Sequence, residues 1–172
     1  YKKFKKHCPN YEFVPTVIDP VKEIYAIGDL HGDLEVTINS LYLTRVIDKN
    51  YNQLVDDGVI QEDILKETNR YNHEDAEELG KRIVSYLKWV GGNKIVVQVG
   101  DQIDRCRPYK KKCDEEGATI EDEASDITIL VLMTELDKKA ISSSKKGRVI
   151  SLLGNHELMN VKGNMNYVSR KG

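Results

Sequence analysis

The sequence predicts an α/β fold built on a largely parallel, layered sheet, and three observations carry that expectation. Short apolar segments rich in β-branched residues recur at Glu23 to Ile27, Lys94 to Val99 and Arg148 to Leu153. Each ends at a glycine, Gly28, Gly100 or Gly154, as a buried strand does where the chain turns sharply off its end. Between them the apolar residues fall at helical spacing, and strands that alternate with helices imply parallel crossovers.

The chain opens on a basic run, Lys2, Lys3, Lys5 and Lys6, followed by Pro9, Pro15 and Pro20. Proline restricts its own φ and disfavours helix just before it, so residues 1–22 are expected to be an extended, solvated lead-in, with a partner-binding arm as the lesser reading. After the first strand, Leu34, Ile38, Leu41 and Arg45 share one helical face, and Ala76, Leu79, Ile83, Leu87 and Val90 share another. Ile127, Leu130, Val131 and Thr134 give a third, with Ser125 or Asp126 placed to cap its start. Residues 48–73 are polar, with Asn50, Asn52, Asp56, Asp57 and Gly58 marking turns and a short helical pattern around Ile60 to Leu65. They read as an insertion that is either a surface loop or a cover for a site or a partner surface. A second insertion, 106–124, runs from Lys110–Lys112 into the acidic stretch Asp114 to Glu123 and also reads as surface loop.

A chain of 172 residues with 40% hydrophobic content buries one ordinary core, so one domain of the soluble globular class is expected. Twenty-six basic against 28 acidic residues leave a formal charge of -2, which favours neither nucleic acid nor an anionic membrane as a bulk partner. Any attraction for phosphate must be local. No apolar run approaches the roughly 18 residues of a membrane span and no signal-like stretch opens the chain, so the cytoplasm is the expected location. Cys8, Cys106 and Cys113 are read as free thiols, as is usual in a reducing compartment, and only Cys106 and Cys113 lie close enough in sequence to pair. A zinc site on that pair would need further ligands that the spacing does not offer. The chain begins at Tyr1 and stops soon after Glu157, so both ends read as cut.

The glycines that end the three strands open three motifs: Gly28-Asp29-Leu30-His31-Gly32-Asp33, Gly100-Asp101-Gln102-Ile103-Asp104-Arg105 and Gly154-Asn155-His156-Glu157. Sites in parallel sheets form at the carboxyl ends of strands, which is where all three lie. Asp29 and His31, at i and i+2, point to the same side of an extended strand end and could chelate one metal. Asp101 has two oxygens with which to bridge that metal to a second, and Asn155 offers the second a neutral carbonyl. Carboxylate with imidazole suits Mn²⁺, Fe²⁺/³⁺ or Zn²⁺ better than Ca²⁺. Two such ions about 3.5 to 4 Å apart acidify a bridging water and polarise phosphoryl oxygens. His156 would face the ester as general acid, Asp104 would be its anionic partner, and the planar fork of Arg105 suits bidentate contact with phosphate. Asp33 either caps the helix starting at Leu34 or supports His31, and Glu157 reads as a helix-start or supporting residue rather than a ligand. His7 and His73 are expected to be exposed.

Taken in this order the motifs resemble those of the calcineurin-like metallophosphoesterases, and within them the phosphoprotein phosphatases, whose motifs take the form GDxHG, GDxxDRG and GNHE. Singly each is weak; jointly they are specific. The continuation Leu158-Met159-Asn160, then Gly163 and Tyr167-Val168, is most similar to the Shewanella-like branch. The resemblance runs from about Ile24 to Val168. It implies an α/β/β/α metallophosphoesterase sandwich of which residues 23–172 are the N-terminal part, and the same roles for the residues just named, with Arg105, Asn155 and His156 on the substrate phosphate. The implied activity is hydrolysis of phosphoserine, phosphothreonine or phosphotyrosine in proteins by a water activated at a two-metal centre. Hydrolysis of a dinucleoside polyphosphate or other small phosphate ester is one alternative; a catalytically impaired module that binds phosphorylated partners is another. Two departures stand out. Cys106 replaces the family's glycine, and nothing after Glu157 is a histidine, whereas the family completes its second metal site with two more. This stretch is therefore expected to hold a second metal weakly and to be a weak or inactive catalyst by itself.

Overall fold

Three parallel strands, β1 (Ile24–Ile27), β2 (Ile95–Gln98) and β3 (Arg148–Ser151), form one sheet in the order β1-β2-β3 in a computed structural model that describes residues 1–9, 11, 13–62, 73–118 and 125–169. Each lies inside an apolar segment expected to be a strand. Ile24 pairs with Ile95 and Ile95 with Arg148, so the three strands run in register and their carboxyl ends share one edge. The helices are α1 (Lys2–His7), α2 (Leu34–Leu43), α3 (Tyr51–Asp56), α4 (His73–Tyr86), α5 (Asp126–Ser142) and α6 (Asn155–Val161). The architecture is a mixed α/β one with a parallel sheet, as the alternation predicts.

One face of the sheet supplies Tyr25, Ile27, Val96 and Val149 to the core, which Leu34, Ile38 and Leu41 of α2 and Ile83 and Val84 of α4 complete together with α5. Each large side chain buried there contributes about 1.5 to 3 kcal/mol of transfer free energy. On α5 the buried face is Ile129, Leu132, Met133, Leu136 and Ala140, whereas Ile127, Leu130, Val131 and Thr134, the face expected to be inside, are half-buried. The apolar stripe of α5 wraps most of the helix, and its contact with the sheet decides which part goes deepest. Helices α2 and α4 are also shorter than their spacing suggested. Arg45 lies past α2 at φ 56, and Val90 lies past α4 and is exposed.

The lead-in is not wholly extended. Lys2–His7 is helical because no proline interrupts the run before Pro9, lysine is a good helix former, and the Tyr1 and Phe4 rings pack on Phe13 at 5.7 and 5.6 Å. His7 is exposed; the side chain of His73 lies outside the described residues. Nor is the first insertion a surface loop over residues 48–62. Asn50 and Gln53 form a capping box on α3, and Tyr51, Leu54, Val59 and Ile60 are buried in the main core. Polar neighbours hid that apolar set in the sequence. The rest of the pattern around Ile60 to Leu65, and residues 119–124 of the second insertion, lie outside the described residues.

The expectation of three free thiols fails for two of them. Cys106 and Cys113 are buried and joined by a disulfide across a Cα separation of 5.8 Å, while Cys8 is free. Burial beside each other, rather than sequence spacing, is what pairs them. Such bridges persist in oxidising compartments, which weighs against the reducing location expected from the sequence. Among the described residues no helix is long and apolar enough to cross a membrane.

Candidate metal centre

The three motif loops leave the carboxyl ends of β1, β2 and β3 and are stitched directly to one another. Leu30 and His31 donate their backbone N–H groups to Asp101 O at 2.9 and 3.0 Å, and Gly32 donates to Gln102 O at 2.8 Å. From the third loop, the buried Glu157 carboxylate accepts from the backbone N–H of Asp101, Gln102 and Gly154 at 2.9, 2.7 and 2.7 Å. Gly100, at φ 104, has to be glycine, since a Cβ there would lie 2.3 Å from Gly154 N. A Cβ on Gly154 would in turn lie 2.2 Å from Asp101 Oδ1. His31, Asp101 and Asp104 hold positive φ values of 45, 56 and 68, a cost that clusters at functional sites.

This stitching brings His31, Asp101 and His156 together, with one potential ligand atom from each lying within 4.8 Å of the others. The two imidazoles meet edge to face at 5.0 Å. His31 Nδ1 lies 3.1 Å from Ile103 O, so it carries the proton and leaves Nε2 with a lone pair. That backbone bond is the outer support a metal-ligating histidine needs. One carboxylate and two imidazoles suit Mn²⁺, iron or Zn²⁺, so these residues fit one divalent ion.

The remaining sequence-chosen residues are placed less uniformly. Asp29 sits at the rim, half or more exposed, with Oδ2 3.6 Å from His31 Nε2. Its approach to His31 comes from a left-handed turn after β1 has ended at Ile27, not from the pleat of an extended strand. Asn155 is exposed at the first position of α6. His156 Nδ1 lies 2.9 Å from Oδ2 of the buried Asp104. Asp104 Oδ1 accepts from Asn160 Nδ2 at 3.0 Å, and its backbone N–H donates to Asp126 Oδ2 at 3.0 Å. Arg105 Nη1 donates to Asp33 Oδ2 at 2.9 Å, while Asp33 Oδ1 accepts from Val36 N at 2.8 Å. Asp33 therefore caps α2 as expected, but its second partner is Arg105 rather than His31.

Sequence reasoning missed Asp126, Asn160, Arg107 and Tyr167. Asp126 looked like a helix cap; Ser125 holds the cap position, and Asp126 turns its carboxylate to the Asp104 loop instead. Asn160 was visible only as a motif continuation. Arg107 lies just past the second motif, where its i, i+2 spacing from Arg105 was the signal available. Cys106 between them does not adopt a positive φ, so the family's glycine is not required there.

Several known proteins have similar sequences. The chain is 26% identical over 161 residues to Shewanella-like protein phosphatase 2 of Arabidopsis thaliana, a match covering 94% of this chain and 27% of that protein. It is 28% identical over 149 residues to Shewanella-like protein phosphatase 1 of Plasmodium berghei, covering 87% and 26%. The chain is a distant homologue of the Shewanella-like protein phosphatases. An uncharacterized protein of Schizosaccharomyces pombe is 28% identical over 166 residues, covering 96% of this chain and 34% of its own length. The chain spans about a quarter to a third of the length of these relatives. No family model matches it, and no solved structure gives a significant match.

Proposed function

We propose that the chain is the metal-binding part of a phosphoprotein phosphatase with an α/β/β/α sandwich, hydrolysing phosphoserine, phosphothreonine or phosphotyrosine. The observation that carries this reading is the carboxylate-backed imidazole of His156, held by Asp104 beside the His31 and Asp101 ligand atoms. Ester hydrolysis needs both a proton carrier for the leaving oxygen and a cation site, and here they are neighbours. The distant homology supports the same class.

In this reading Asp29, His31 and Asp101 hold one divalent ion, and Asp101 with Asn155 holds the second. When bound, such a pair supplies an acidified water and a polarised phosphoryl group. His156 Nδ1 faces Asp104, so its Nε2 is the atom that carries the proton for the leaving alkoxide. Arg105, steadied by Asp33, binds a non-bridging phosphoryl oxygen together with Asn155. His156 cannot be ligand and acid at once, because a nitrogen that ligates a metal has no proton to give.

The test uses the protein expressed from its own gene, with Mn²⁺, on phosphotyrosine and phosphoserine peptides and a dinucleoside tetraphosphate. The expected result is phosphopeptide turnover that falls about 10²- to 10⁴-fold in His156→Ala while Mn²⁺ affinity is kept. Preference for the dinucleotide, or phosphopeptide binding without turnover, would overturn it.

A further inference from the structure

We infer that Arg107 is an anion-recognition residue of this centre, exchanging its bond to His31 Nε2 for a phosphoryl oxygen when that nitrogen ligates a metal. The inference rests on the phosphoester reading above and adds to it a residue that lies outside the three motifs.

The guanidinium is fixed by its own turn. Arg107 Nη1 donates to Asp104 O at 2.8 Å and Cys106 O at 2.9 Å, and its Cζ stands 5.8 Å from the Tyr167 ring centroid, within cation–π range. The residue before it is the buried Cys106, whose disulfide to Cys113, seven residues on, closes the loop on itself. Arg107 Nη2 lies 2.9 Å from His31 Nε2, the nitrogen left with the lone pair once Nδ1 is bonded to Ile103 O. A guanidinium donor and a metal ion cannot share one lone pair. Ligation of a metal through Nε2 therefore frees an N–H of Arg107, while the two carbonyls keep the head group beside the centre.

Charge points to what the freed donor takes. Carboxylates crowd the site, yet among the described residues none lies in salt-bridge range of Arg107, whereas Arg105 is already paired with Asp33. Arg107 is exposed and, like any arginine, carries more N–H donors than its bonds to Asp104 O, Cys106 O and His31 use. An arginine gripped by neutral carbonyls at a cation site is suited to a dianion, which it would bind with Arg105 as a second fork.

The experiment is calorimetric titration of the native protein, Arg107→Ala and Arg107→Lys with Mn²⁺, and then with inorganic phosphate at saturating Mn²⁺. We expect Arg107→Ala to bind phosphate about 10-fold or more weakly, and Mn²⁺ alone at least as tightly as the native protein, because a competing donor for His31 is gone. Arg107→Lys keeps the charge without the fork and should lose several-fold in phosphate affinity; it decides the matter if Arg107→Ala does not fold. Phosphate affinities within twofold of native in the folded variants would overturn the inference and leave the phosphatase reading standing. Arg107-dependent phosphate binding without turnover of any phosphopeptide would support the inference and sink the enzyme. A native protein that binds no phosphate with Mn²⁺ would sink both.

Discussion

Glu157 holds the site together without being chosen as a ligand, and one of its bonds goes to the backbone of the candidate ligand residue Asp101. The Glu157 carboxylate accepts three backbone N–H groups from two loops, so its loss leaves two buried donors, on Asp101 and Gln102, and a part-buried one on Gly154. At roughly 1 to 3 kcal/mol for each unsatisfied buried donor, the two buried donors imply that Glu157→Ala should lower the unfolding free energy by about 2 kcal/mol or more, read by urea denaturation. A loss below about 1 kcal/mol would mean that these bonds do not hold the loops. At this scale the sequence was legible in kind but not in partner. Asp33 as a cap was one of two readings open from its place before Leu34, and Asp104 beside His156 was read with the help of the motif resemblance. The partners Asp126 for Asp104 and Arg105 for Asp33 could not, because they come from other elements and depend on how the loops stack.

Among the elements, β1 and β2 are tied at their amino ends by a small ion network. The Glu23 carboxylate, pulled down from about 4.5 to about 2 by the Tyr25 hydroxyl and then by the Lys94 ammonium, precedes β1, while Lys94 precedes β2. A carboxylate with a lowered folded-state pKa adds stability above about pH 4.5 that is lost as pH falls toward about 2. Melting temperatures across that window should fall less steeply in Glu23→Gln than in the native protein; parallel slopes would remove Glu23 from the account. The second loop is tied covalently instead. Cys106 and Cys113 are seven apart, so opening the bridge should cost about 2 kcal/mol on the chain-entropy estimate, checked by urea unfolding with and without reductant. The bridge escaped sequence reading because composition argues for a compartment, whereas pairing is decided by which cysteines are buried together. α3 escaped for a related reason, since Tyr51, Leu54, Val59 and Ile60 are too few and too scattered among polar residues to show a period.

In the whole molecule, β-branched runs ending in glycine were enough to place the three strands, and their alternation with helical spacing to make the sheet parallel, although β1 proves largely exposed and the strand order was not legible. The way the loops are joined was not legible, yet it has a consequence for how the protein comes to fold. The bonds that join one loop to another connect residues far apart in the chain: Glu157 and Gln102 are 55 apart, Asp104 and His156 are 52, and Arg107 and His31 are 76. Each must wait for a crossover helix to close its loop and so bears that entropy first. The centre is thus a late product of folding, completed only when β3 has docked and brought Gly154 against Gly100. An intermediate that held β1, β2 and their helices would bring His31, Asp101 and Arg107 together but would lack His156 and Glu157.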